Sequence, residues 1–323
     1  MPSTLRLALF ALALLLPGPA LAQGDAWPTR PVRVVVGFTA GGTTDIIARL
    51  VGNKLSEAWN QSVAIDNRPG AGGNIGSTIV AKAPPDGYTL LVGSVGPLAV
   101  NASLYKDMPY DALTDFAPIV LIATVQNVLV VPPDLPVRSV KDLVELARAR
   151  PGQLNFASTG SGTSAHLSGE LLKQMAKIDM VHVPYRGAVG LNDLLGGRIQ
   201  LMFATIPSVI AHIRAGSLRA VAVTSSRRSL ALPDLPTVEE TGYPGFDASS
   251  WFGIVAPVGT PRAIVDKIHR DTVRIVNLPD IRENLLSQGA DPIGSTPEEF
   301  GRFMKSETEK WAEIVRISGA RAE

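Results

Sequence analysis

The 323-residue chain carries 30 Lys and Arg against 29 Asp and Glu, a formal charge of +1, with 46% apolar residues and no cysteine. Near neutrality argues against a nucleic-acid partner, which needs clustered basic surface, and the lack of cysteine rules out disulfides, a thiol nucleophile and thiolate metal ligands. The four histidines, His166, His182, His212 and His269, have no close ligand-type spacing, so neither a metal nor a cofactor is expected.

The chain opens on a targeting segment. Arg6 supplies the positive start, Leu7 to Leu16 an unbroken apolar run, and Ala20-Leu21-Ala22 a small-x-small cleavage pattern. The run is too short for a bilayer, which takes about 20 residues, so a membrane anchor is the weaker reading. Residues 1–22 are therefore set aside as a cleaved signal peptide, and the mature chain is expected in a periplasm. What is left, roughly 300 residues, exceeds one comfortable core and suggests two domains.

Strand and helix periodicities then alternate. Strands are expected over 32–36, 63–65 and 88–92, and helices over 44–59 and 74–83, with Pro97 opening a short further helix. This order implies parallel strands with right-handed crossovers. The apolar run over 119–131 has no helical caps and reads as a strand crossing between domains. Ser139-Val140-Lys141-Asp142 starts a helix with a capping-box pattern. The rhythm then repeats, with strands over 154–157, 180–183, 199–204 and 218–224 and helices over 163–176, 191–195 and 207–215. A loop-rich passage over 233–249 precedes a second crossing strand over 251–256. The tail is helical, and Thr296-Pro297-Glu298-Glu299 caps its last helix. The expected architecture is α/β with two lobes. Each is a mostly parallel sheet flanked by helices, and two crossing strands join them. Lobe one spans 23–124 plus 248–323 and lobe two 125–247; one long doubly wound sheet is the alternative.

Two strand–glycine–helix turns stand out. In the first, Phe38-Thr39-Ala40-Gly41-Gly42-Thr43 follows a Val-rich strand, and no residue from Val34 to Ala48 is basic. In the second, Ser158-Thr159-Gly160-Ser161-Gly162-Thr163-Ser164 repeats the plan, aligning Thr39 with Thr159, Gly42 with Gly162, Thr43 with Thr163 and Thr44 with Ser164. Glycine allows a sharp turn and close backbone approach. A helix start offers unpaired N–H groups and the positive dipole end, so each turn suits an anion. Ser94, Tyr185 and Thr205 lie at the carboxyl ends of strands, where open α/β sheets bind ligands. Asp45 either meets a ligand amine or favours the first turn of its helix, the latter fitting better. Arg186 either adds charge or ties down its own turn. The stretch 67–73 shapes a rim or forms a plain turn. Thr39, Thr43, Thr163 and Ser164 serve equally well as caps.

Other chemistries fit less well. Gly160-Ser161-Gly162-Thr163-Ser164-Ala165 matches a relaxed dinucleotide pattern, but Tyr185 and Arg186 stand where its acidic residue belongs. Ser94 and Ser161 are flanked by glycines yet miss the G-x-S-x-G elbow, leaving an exported serine hydrolase as the alternative function.

At these residues the chain resembles the Bug-type receptors, the extracytoplasmic solute receptors of tripartite tricarboxylate transporters. The resemblance runs in order through Pro31 to Asp45, Asp66-Asn67-Arg68-Pro69-Gly70-Ala71-Gly72-Gly73-Asn74, and Pro84-Pro85-Asp86-Gly87-Tyr88. It continues through Gly160-Ser161-Gly162-Thr163, Val183-Pro184-Tyr185-Arg186-Gly187, Leu232 to Thr237 and Trp251-Phe252-Gly253. It implies a type II-like, two-lobed periplasmic binding protein, monomeric and without catalysis. Such a receptor closes on a small organic acid, a di- or tricarboxylate or acidic amino acid, and delivers it to membrane permease subunits. The ligand residues then expected are Phe38, Thr39, Ala40, Gly41, Gly42, Thr43 and Ser94 from the first lobe. From the second come Ser158, Gly160, Ser161, Gly162, Thr163, Ser164, Tyr185 and Thr205, and the variable position Thr39 is expected to tune which acid fits.

Overall fold

The computed structural model describes residues 27–186 and 189–322, so the targeting segment lies outside the described residues. β1 (Val32–Val36) leads into α1 (Thr43–Trp59), and β2 (Val63–Asn67) into α2 (Asn74–Ala81). β3 (Thr89–Ser94) is followed by a wide helical turn, Gly96–Val100, and α3 (Asn101–Leu104). β4 (Phe116–Val125) and β5 (Asn127–Val131) have Gln126 alone between them. Then come α4 (Val140–Ala149), β6 (Asn155–Ser158), α5 (Ser164–Ala176), β7 (Val181–Pro184), α6 (Gly190–Leu195), β8 (Leu201–Thr205), α7 (Ile206–Arg214) and β9 (Arg219–Val223). The chain ends with β10 (Ser250–Pro257), α8 (Arg262–Val276), α9 (Pro279–Ser287), β11 (Ala290–Pro292) and α10 (Pro297–Ser318).

These strands form two sheets, one per lobe. The first has the order β11-β4-β10-β3-β1-β2 and the second β7-β6-β8-β5-β9. β1 reads Val-Arg-Val-Val-Val and lies parallel between β2 and β3. Valines suit a strand covered on both faces; the exception, Arg33, donates from Nε to Asp66 of β2 at 2.8 Å. Strand–helix–strand units supply the parallel pairs. The segments that pass between lobes and back add antiparallel ones, with β10 antiparallel to both β3 and β4, and β5 antiparallel to β8 and β9. Each sheet is therefore mixed.

The two passages differ from the expected pair of continuous strands. The run over 119–131 is split. Val125 still pairs with Ser250 and Ala290, whereas Asn127 already pairs with Thr205 of the other sheet, so the chain crosses at Gln126. The return passage is complete before β10 begins, because Ser250 is already in register with Val125. Asn127 ties the passages together. Its Nδ2 donates to the carbonyl of Ala248 at 2.6 Å, and its own carbonyl accepts from Thr224 N at 3.0 Å. The short strand β11 carries too little apolar pattern to be read from sequence.

Both expected capping boxes form, Ser139 with Asp142 on α4 and Thr296 with Glu299 on α10. Pro261 precedes α8 as its cap residue. Helix α10 packs on β4, on the 96–104 turns and on α5 of the second lobe. One carboxylate fixes it there: Glu307 Oε2 accepts from the indole nitrogens of Trp251 and Trp311, both at 2.8 Å. Both indoles are fully buried. Glu307→Ala strands two buried donors and is expected to cost about 2–4 kcal/mol in urea unfolding. A loss within the error of that measurement would show that the network is idle.

Candidate functional site

The two glycine turns are the same structure. Gly41 has φ +81° and Gly162 φ +82°, a region that favours glycine. Each is followed by an extended cap residue, Gly42 (φ −78°, ψ 163°) and Thr163 (φ −77°, ψ 157°). Gly42 N donates to Thr39 O, as Thr163 N donates to Gly160 O. The counterparts are therefore Thr39 with Gly160, Gly41 with Gly162, Gly42 with Thr163, Thr43 with Ser164 and Asp45 with His166. This corrects the alignment read from sequence by one residue. Matching by residue type paired hydroxyls, whereas the backbone pairs the positive-φ glycine that precedes each cap.

That register explains what the glycine amides do. Gly41 N donates to Asp45 Oδ2 at 2.9 Å, and Gly162 N to His166 Nδ1 at 3.3 Å. Gly160 N donates to Ser158 Oγ at 3.2 Å. These three amides are consumed inside their own turns. The donors left facing the cleft belong to the first turns of α1 and α5, at Thr43 and Thr44 and at Ser164 and Ala165.

Those residues line an inner cavity of about 40 Å³ between the lobes. Phe38, Gly42, Ser94, Val95, Thr159, Thr163, Thr205, Ser208, Ser250 and Phe252 complete its wall, and no charged side chain among the described residues lines it. The hydroxyls of Thr43 and Thr205 meet across it at 2.7 Å. A wider outer cavity of about 500 Å³ shares Phe38 and Thr159 with the inner one. Gly70 to Gly73, Ile75, Tyr105, Gly160, Ser161, Pro184, Tyr185 and Arg186 line it, and Arg186 is its one cation among the described residues. Here too the lobes touch. Thr39 Oγ1 donates to Arg186 O at 3.3 Å, and Tyr105 Oη to Ser161 O at 3.3 Å. The Tyr185 hydroxyl is turned to Asp193 Oδ2 at 2.7 Å.

Of the residues singled out from sequence, Phe38, Gly42, Thr43, Ser94, Thr163, Ser164 and Thr205 thus share the inner cavity, and Gly160, Ser161 and Tyr185 line the outer one with Phe38. Thr39, Ala40, Gly41, Ser158 and Gly162 line neither. Thr44, Ala165, Thr159 and Ser208 went unselected; the first-turn rule for helix donors finds the first two. Ser250 and Phe252 come from β10, far off in sequence, and no local signal marks them. Neither Ser94 nor Ser161 hydrogen-bonds a histidine among the described residues. Ser158, which hydrogen-bonds His182, is fully buried, and Ser217, which hydrogen-bonds His212, lines neither cavity.

Asp45 is fully engaged within its lobe. Besides Gly41 it accepts from Arg49 Nε at 3.0 Å and from Asn67 Nδ2 at 3.0 Å, while the same Asn67 amide also donates to Phe38 O. Burial raises its pKa, but the bonds from Arg49, Gly41 and Asn67 outweigh it and hold the carboxyl below its ordinary range. Of its two possible roles, the structure assigns it the local one. In the second lobe, burial, with Lys173 nearby, pushes His166 down to about 4. Burial, with His166 and Lys173, pushes His182 down to about 3, so both are neutral at pH 7.

Two lobes that meet over a cleft whose inner part has an uncharged wall, each aiming a helix start into it, define a two-lobed solute-binding protein. Residues 47–319 match the tripartite tricarboxylate transporter family receptor, and the chain belongs to that family of periplasmic receptors. It is 40% identical over 306 residues to protein BugT of Bordetella pertussis, covering 94% of this chain and 93% of that one. Its structure is similar to that of the R. palustris protein Rpa4515 with adipate (TM-score 0.90, 41% identity, 92% of this chain and all of that one). It is also similar to MatC of Rhodopseudomonas palustris with bound malate (TM-score 0.86, 32% identity, 90% of this chain and all of that one).

Because the folded pKa of Asp45 lies below its ordinary 3.8, its contribution is complete above that value and is lost as pH falls through the folded pKa. Asp45→Asn is expected to cost about 2 kcal/mol at neutral pH. In thermal unfolding the gap to the parent should close in strong acid; a gap that stays constant would contradict this assignment.

Proposed function

We propose that the mature chain, exported after loss of residues 1–22, captures a small carboxylate between lobes 23–124 plus 248–323 and 125–247. It then delivers the acid to the membrane permease of a tripartite tricarboxylate-type transporter. The observation that carries this reading is the inner cavity. Two helix starts and several hydroxyls surround a space with no charged wall, which suits the oxygens of one carboxylate. The outer cavity then receives the rest of the molecule, with Arg186 placed to meet a second acidic group. Among the described residues no Asp or Glu lines either cavity, so an ammonium group meets no carboxylate there. This favours di- and tricarboxylates over acidic amino acids. The structures solved with adipate and malate agree in ligand class.

Calorimetry of ligand-free mature protein against adipate, malate, succinate, citrate, aspartate, glutamate and inorganic phosphate tests the reading. At least one dicarboxylate is expected to bind more tightly than either amino acid. Arg186→Ala should weaken it about tenfold, the worth of one charge-assisted bond. Heat from none of the acids, or equal affinity for aspartate and its amino-free analogue succinate, would count against it. Deleting the gene should abolish uptake of the acid that binds.

A further inference from the structure

In the first lobe a carboxylate braces the turn; in the second an imidazole, His166, occupies the matching position. Because Nδ1 of His166 accepts from Gly162 N, it carries no proton, and the neutral ring holds its hydrogen on Nε2. His166 in turn lies flat against His182, with ring centroids 4.0 Å apart and planes 19° apart. His182 also stacks on Phe156, with centroids 4.9 Å apart. Nε2 of His182 lies 2.7 Å from Ser158 Oγ, the group that accepts from Gly160 N and donates to Gly160 O. Each of the two loop glycines is therefore tied through one imidazole, and neither ring lines the inner cavity.

We propose that His166 and His182 are positioning residues for ligand capture, a stacked neutral pair that fixes Gly160 and Gly162 and so aims the first-turn amides of α5 at the inner cavity. Only its binding arm rests on the carboxylate reading. The test uses the full mature chain and four variants. His166→Leu and His182→Phe remove the polar nitrogen while filling space, and His166→Asn and His182→Gln return a polar atom near it. Imidazole ¹⁵N shifts of the parent should show His166 as the Nε2–H tautomer; a proton on its Nδ1 would overturn the proposal.

Amide hydrogen exchange at Gly160 and Gly162 is the second readout. Exchange at Gly162 should rise about tenfold in His166→Leu and at Gly160 in His182→Phe, each with a similar loss of adipate affinity, and the Asn and Gln variants should recover most of both. Unchanged exchange in the Leu and Phe variants would overturn the proposal. So would losses that track the unfolding midpoint equally in all four. Expected exchange with no adipate binding by the parent would defeat adipate as ligand and leave the loop-positioning role standing.

Discussion

Every α-helix starts with N–H groups that its own backbone leaves empty, and this fold points two such starts at one small uncharged space. The dipole ends are both positive, so the lobes repel there until something negative enters. Each helix end is worth roughly 0.3–1 kcal/mol toward an anion at an exposed surface and up to about 2 where partly buried. On the proposed reading, an anion contributes what the two lobes lack. Walls without Lys or Arg also leave the anion's partners to backbone geometry. A mobile side chain cannot follow a misplaced ligand into the inner cavity.

Such a site depends on how rigidly the turns before the helices are held. The backbone solution is shared: a left-handed glycine, an extended cap, and a side chain four residues on that accepts the glycine's N–H. The supports behind that side chain differ. Asp45 is fixed by Arg49 and by Asn67, which also reaches Phe38 O. His166 leans on His182, which leans on Phe156. One lobe uses an ion pair, the other a neutral aromatic stack. Closure adds its own joints in Thr43 to Thr205 and Tyr105 to Ser161.

Much of this was legible in the chain. The alternation of strands and helices, the two capping boxes and the two glycine turns follow from periodicity and local backbone chemistry, which a sequence displays directly. Pairing direction was less visible, because β10 is placed by strands far from it in sequence. The role of the glycines is hidden for a related reason. Gly41, Gly160 and Gly162 stand among the expected ligand residues, but their amides find side-chain acceptors that only folding brings near. Asp45 and His166 share a position without sharing a residue type, so type-matching could not reveal it. Ser250 and Phe252 enter the cavity wall from β10, which lies far in sequence from the two glycine turns.

A crystal structure of the mature chain grown with adipate puts the central claim to its most direct test. One carboxylate should occupy the inner cavity, with its oxygens about 3 Å from first-turn amides of both α1 and α5. A carboxylate bound only to Arg186 in the outer cavity, with both helix starts left to water, would contradict the account.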